Sequence, residues 1–174
     1  MKRLVHRMNI TLKLVPEDEK EILRNLLEKY DYEFSQYDNL HVNKLGLFGY
    51  RYLDHYWSEN GRWAYFIEVD GKLAGFVMVV NRAGESSDAD FSMAEFFVMY
   101  PYRRLGVGRV AFFKTLKLHK GNWQLKYMPK NIASAYFWNN VVDEYTNGNF
   151  ELIKSHPDAE YADGSLGDIL SFKS

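Results

Sequence analysis

Two β-rich runs, Trp63–Val69 and Lys72–Asn81, flank the dipeptide Asp70-Gly71. Asp-Gly takes up positive φ at both centre positions of a tight hairpin, so the runs predict an antiparallel strand pair. Phe91–Val98, set off by the polar loop Arg82–Asp90, extends the pair into a meander. Upstream, Asn9–Val15 alternates Ile10, Leu12 and Leu14 with Thr11 and Lys13, the period of a half-buried strand, and Pro16 closes it. A chain that opens with antiparallel neighbours does not build a doubly wound parallel sheet.

The second half changes rhythm. Val107–Lys120 carries Val110, Ala111, Lys114 and Leu118 on one helical face and stops at Gly121. Trp123–Met128 alternates as a strand. Asn131 is a good N-cap for a helix Ile132–Tyr145 that ends at Asn147-Gly148. Phe150–Ser155 and Gly167–Phe172 close the chain as strands. Near the start, Glu17–Tyr30 places Ile22, Leu23, Leu26, Leu27 and Tyr30 on one stripe, and a short helix is expected around Arg51–Ser58. The expected fold is α/β of the α+β kind: a mixed, mostly antiparallel central sheet of about six to seven strands with helices on both faces.

Composition bounds the function. The 174 residues correspond to one domain spanning 1–174. Cys is absent, which removes disulfides, thiolate metal sites and cysteine nucleophiles. Net charge is −1, so no overall field draws the chain to nucleic acid or an anionic membrane. The basic start lacks the apolar core of a signal peptide, and the longest apolar run, near Phe76–Val80, is too short to span a bilayer. The expectation is a cytoplasmic protein, monomer or homodimer, with no nucleic-acid or membrane partner. His6, His41, His55, His119 and His156 show no metal-ligand spacing, so no metal is expected, and they read as surface or capping residues. Serine-nucleophile patterns are absent as well.

Chemistry concentrates in Tyr100-Pro-Tyr-Arg-Arg-Leu-Gly-Val-Gly-Arg109, between a strand and an amphipathic helix. Gly106 and Gly108 clear side chains from the unpaired N–H groups of a helix's first turn, and Arg103, Arg104 and Arg109 add positive charge, together a cradle for a diphosphate. The same residues also suit a plain Gly-rich surface turn. Gly106-Val-Gly108-Arg-Val-Ala111 fits the dinucleotide pattern, but the acid expected roughly twenty residues on is replaced by lysines at 126–130. A nicotinamide-type oxidoreductase is therefore a distant alternative.

Arg103-x-x-Gly106-x-Gly108, after a strand ending Glu95-Phe-Phe-Val98 and Pro101, resembles motif A of the GNAT superfamily of acyl-CoA-dependent N-acyltransferases. Asn131-Ile-Ala-Ser-Ala-Tyr-Phe-Trp138, followed by Asn149-Phe150, is similar to a later segment of that family. The resemblance implies acetyl-CoA as cosubstrate. Backbone N–H groups of Leu105, Gly106, Val107, Gly108 and Arg109 would hold its pyrophosphate. Phe97 and Val98 would hydrogen-bond its pantetheine, the Val98 N–H facing the thioester oxygen, and Asn131, Ser134 and Phe137 would touch the pantetheine or nucleotide end. The family's usual leaving-group tyrosine falls on Trp138, which cannot protonate a thiolate.

The implied reaction is acetyl transfer to a primary amine of a small molecule or peptide by direct attack in a ternary complex. An alkylammonium, with a pKa of roughly 10, must first lose a proton. Glu95, Glu68 or a water chain is the candidate base, and Tyr136 a candidate acid. For each carboxylate a solvated or ion-paired strand residue is an equal reading, and Tyr136 also reads as a packed aromatic. Aromatic residues make up 17% of the chain, and those from Tyr30 to Trp63, with Asp158, Glu160, Tyr161 and Asp163, suggest a wall for a cationic amine; packing of an irregular helical region explains them equally well. A non-catalytic acyl-CoA-binding module is the main alternative.

Overall fold

The computed structural model describes residues 8–82 and 88–174. The basic start with His6, and the middle of the polar loop expected at Arg82–Asp90, lie outside the described residues.

The strands fall close to where the periodicity puts them: β1 Ile10–Leu14, β2 Arg62–Val69, β3 Lys72–Asn81, β4 Phe91–Val98, β5 Asn122–Tyr127, β6 Phe150–Ile153 and β7 Asp168–Lys173. They form one sheet in the order β1-β2-β3-β4-β5-β7-β6. Only β4 and β5 pair in parallel; every other neighbouring pair is antiparallel. Asp70 and Gly71 carry φ of 50° and 75°, so both centre residues of the β2–β3 hairpin use the conformation that Asp-Gly supplies.

Four helices cover the sheet: α1 Lys20–Asp38, α2 His55–Ser58, α3 Val107–Leu118 and α4 Ile132–Thr146. One face of the sheet packs Phe66, Phe76, Met78 and Phe97 against Leu23, Leu26 and Leu27 of α1 and Tyr56 of α2. The other face packs Val77, Val79, Trp123 and Leu125 against Phe112 of α3 and Val142 of α4. With both faces covered, β2 and β3 read as nearly unbroken apolar runs.

Two expectations change. Helix α1 runs past Tyr30 to Asp38 and ends on Asn39, whose φ of 57° is a left-handed cap. His119 is not on the surface, although it is the C-cap residue of α3, its N–H donating to the Thr115 carbonyl at 3.1 Å. It is buried, its Nε2 2.8 Å from the Tyr65 hydroxyl, with the Trp63 ring 4.6 Å away. Burial lowers its pKa and favours the neutral ring. His156 does cap, its Nδ1 accepting from the Asp158 N–H at 3.1 Å.

The feature that makes room for a site is the parting of β4 from β5. They pair only over Phe91–Met93 against Trp123–Leu125. Glu95 and Met93 pair with the adjacent residues Met78 and Val79 of β3, leaving Ala94 as an extra residue. Such a bulge bends its strand. Beyond it Glu95–Val98 stay on β3 while Lys126 and Tyr127 stay on β7.

Candidate active site

The opened edge of β4 lines a cleft of about 1340 Å³ together with the start of α3, one side of α4 and the later turns of α1. The Met99 N–H donates to Ala74 of β3 at 2.8 Å. Backbone groups alternate sides along a strand, so Phe97 also turns its peptide groups to β3, and Phe96 and Val98 turn theirs outward. Of the two residues expected to meet a pantetheine, Phe97 thus has its peptide groups taken up by β3, while Val98, with Phe96, turns its own away from β3. The Phe97 side chain is also occupied, packed 5.7 Å from Phe76 in the core under α1.

Helix α3 begins at Gly106, whose φ is 80° and which no side chain caps. Its first intrahelical bond runs from the Val110 N–H to Gly106, which leaves the N–H groups of Val107, Gly108 and Arg109 without intrahelical partners. A Cβ on Gly106 would meet nothing within 4 Å. Gly108 has another reason to be glycine: a Cβ there would stand 3.2 Å from the Phe137 ring of α4. Its small size lets α3 close on α4.

The three arginines do different work. Arg103 donates to Glu33 of α1 at 2.8 and 2.7 Å and to the Val98 carbonyl at 2.6 Å. Arg109 is ion-paired to Glu144 of α4. Arg104, exposed, positive in φ and lining the cleft, keeps a guanidinium with no ion pair among the described residues. Leu105 is exposed beside it. Asn131 caps α4, accepting from the Ser134 N–H at 3.1 Å. Asn131, Ser134, Tyr136 and Phe137 all line the cleft.

A second cavity, of about 480 Å³, lies between β4 and β5 on the α1 face. Phe34, Phe96, Ser134 and Trp138 line both spaces, so the two meet at that wall. Glu95 projects into the second cavity. Its Oε1 accepts from the Tyr50 hydroxyl at 3.0 Å. Burial raises its pKa, and hydrogen bonds from Tyr30 and Tyr50 oppose the rise. Asp31 of α1 lines the same cavity, and burial, with Glu95 beside it, pushes its carboxyl up to about 7.

Glu95 is thus brought to the site and Glu68 is not. Glu68 sits on β2 opposite Thr11 and Leu73, outside both linings. Tyr136 is 74% exposed and lines the cleft but not the second cavity. Trp138, on the shared wall, packs its ring 5.1 Å from Phe96. Of the aromatics from Tyr30 to Trp63, Tyr30 and Phe34 line the second cavity. Trp57 is used in packing, its Nε1 donating to Val15 at 3.1 Å, and Trp63 lies against His119 on the opposite face. Asp163 is bound to Lys130, while Asp158 and Glu160 are exposed outside both linings.

Sequence reasoning missed Asp31, Glu33, Asp38, Arg82 and Lys126. The first three fall on the part of α1 beyond Tyr30, where Phe34 and Tyr37 continue the stripe of Leu23, Leu27 and Tyr30 and Asn39 marks the stop. Arg82 and Lys126 carried no such signal, since a polar residue at a strand end or on an alternating strand reads as solvated.

No family model matches the sequence, and no curated protein matches it. Solved structures do. A GNAT-family acetyltransferase from Staphylococcus aureus Mu50 is 16% identical with a TM-score of 0.57, over 96% of this chain and 99% of that one. A spermidine N-acetyltransferase from Vibrio cholerae, in complex with CoA and spermine, is 13% identical with a TM-score of 0.61, over 93% and 92%. The PaiA N-acetyltransferase from Thermoplasma acidophilum, in complex with coenzyme A, is 10% identical with a TM-score of 0.61, over 95% and 99%. The chain has the fold of these acetyltransferases from its first strand to its last.

Proposed function

We propose that this chain moves an acetyl group from acetyl-CoA to the primary amine of a small acceptor, with both substrates bound at once. One observation carries the reading. An uncapped helix N-terminus and a bare strand edge share a cleft that meets, at Phe34, Phe96, Ser134 and Trp138, a cavity holding a carboxylate of raised pKa. The GNAT fold and the CoA-bound neighbours support it.

The residues present fit the cosubstrate. Open space at Gly106 and the unpaired N–H groups of Val107, Gly108 and Arg109 suit a pyrophosphate. Arg104 adds charge there, whereas Arg103 and Arg109 act by fixing the walls. The outward peptide groups of Phe96 suit the amide-bearing pantetheine arm, as an added strand would, while the Val98 carbonyl is taken by Arg103 and its N–H is left for the thioester. Acetyl-CoA supplies an activated thioester.

Glu95 is the base. As a carboxylate it takes one proton from the acceptor's ammonium, and the freed nitrogen attacks. The Val98 N–H donates to the carbonyl oxygen as negative charge develops there. The Arg103 bond to the Val98 carbonyl holds that peptide in place. The thiolate, with a pKa of about 8.5, leaves without a strong acid and takes up the second proton that the nitrogen sheds as the amide forms. That is compatible with Trp138 where the family carries tyrosine.

The test is thiol release from acetyl-CoA over a panel of amines, with CoA affinity measured alongside. Glu95→Gln is expected to cut kcat about a hundredfold or more while CoA affinity stays within about twofold. Tight CoA binding with no turnover on any amine would instead indicate the acyl-CoA-binding module.

A further inference from the structure

The acceptor cavity carries charges of opposite sign on different walls. Asp31 projects from α1 beside Glu95 of β4. The charges that act on Asp31 are carboxylates, those of Glu95, Glu28 and Asp38. Across the parted strands, Lys126 of β5 lies 4.5 Å over the Tyr161 ring, with Arg82 lining the cavity near it. Among the described residues Asp31 has no hydrogen-bond or ion-pair partner, and Lys126 makes no direct ion pair, though the Glu95 carboxylate acts on it from across the cavity. Of the two, Asp31 is the more enclosed, and burial opposes its charged form.

From this arrangement we infer that the acceptor is a small zwitterion, a free amino acid or a close analogue, whose amine lies at Asp31 and Glu95 and whose carboxylate lies at Lys126. The inference rests on the acetyltransferase reading above and narrows its acceptor. Three observations support it. A purely cationic polyamine would satisfy the acidic wall but bring positive charge toward Lys126. An anionic acceptor would meet Asp31 and Glu95. Only a molecule carrying both charges pairs both walls, and a cavity of about 480 Å³ has ample room for an amino acid. Of the other basic groups on the lining, Arg62 is engaged by Glu59 at 2.7 Å and Arg82 has an interaction of its own, so Lys126 is the group to which the carboxylate is assigned.

The experiment compares kcat/KM for amino acids with that for the matching amines lacking the carboxylate, and for spermidine, in the thiol-release assay. Amino acids are expected to exceed their decarboxylated partners by about tenfold to a hundredfold, the worth of a charge-assisted contact. Lys126→Gln is expected to collapse that ratio, and Lys126→Glu to turn the preference toward diamines. Lys126 is solvent-exposed at the cavity's edge, so both variants are expected to fold, which thermal melts check. An unchanged ratio in Lys126→Gln, a wild-type preference for spermidine, or turnover of no amine in the panel would overturn the inference. Calorimetric CoA binding separates the two levels. Binding together with amine turnover, but without carboxylate preference, sinks the zwitterion alone, whereas absence of CoA binding sinks the acetyltransferase reading beneath it.

Discussion

Asp31 shows how much a site depends on single environments. In water an aspartate titrates near 4; here burial, with Glu95 beside it, pushes the group up to about 7. Its charged form is the one that attracts an ammonium, so kcat/KM for the acceptor is expected to climb between pH 6 and 8. Asp31→Asn should flatten that limb. Stability runs the other way. Between the unfolded and folded values the native chain holds the extra proton, so its stability falls as pH rises from about 4 to 7. Asp31→Asn should therefore melt higher than the parent at pH 8, with the gap closing toward pH 4. A pH profile unchanged in the variant would remove Asp31 from the site. Nothing in the sequence separated Asp31 from its solvated acidic neighbours, because its burial is created by β4 and β5, far along the chain.

At the level of elements, the cleft exists because α1 is held against the end of β4. Arg103 ties Glu33 of α1 to the Val98 carbonyl, and its guanidinium lies 4.1 Å over the Tyr100 ring. Arg103→Ala is expected to cost about 1–3 kcal/mol, the scale for removing one partner of a charge-assisted contact. It is also expected to weaken CoA binding through the loosened wall, which a melt and a titration together would register. An Arg103→Ala protein with parental melting temperature and CoA affinity would deny the clamp. Elements were the most legible level. Period-two runs, Asp70-Gly71, and the Asn131 and Asn147-Gly148 caps marked seven strands and three of the helices within a few residues. The open edge of β4 was not legible, because the Ala94 bulge and the parting of β5 are pairing facts that no local pattern encodes. The same gap hid the burial of His119 and the outward turn of Phe96. The Gly106 cradle was legible because positive φ and an uncapped helix start are local demands. The use of Arg103 and Arg109 as wall ties was not, since Glu33 and Glu144 lie on other helices.

For the molecule as a whole, a net charge of −1 means that attraction for a polyanionic cosubstrate must come from the start of α3 rather than from a global field. That local origin is the central claim, and titration of CoA into the parent and Gly106→Val proteins by calorimetry tests it most directly. A Cβ at position 106 meets no protein atom within 4 Å. The Cβ itself should therefore meet no clash, and the cost to the fold is the positive-φ strain, at least about 1–2 kcal/mol for a β-branched residue, or several degrees of melting temperature. The expected result is saturable one-to-one binding of CoA to the parent and at least tenfold weaker binding to the variant. Absence of CoA binding to the parent, or equal affinity in the two proteins, would contradict it.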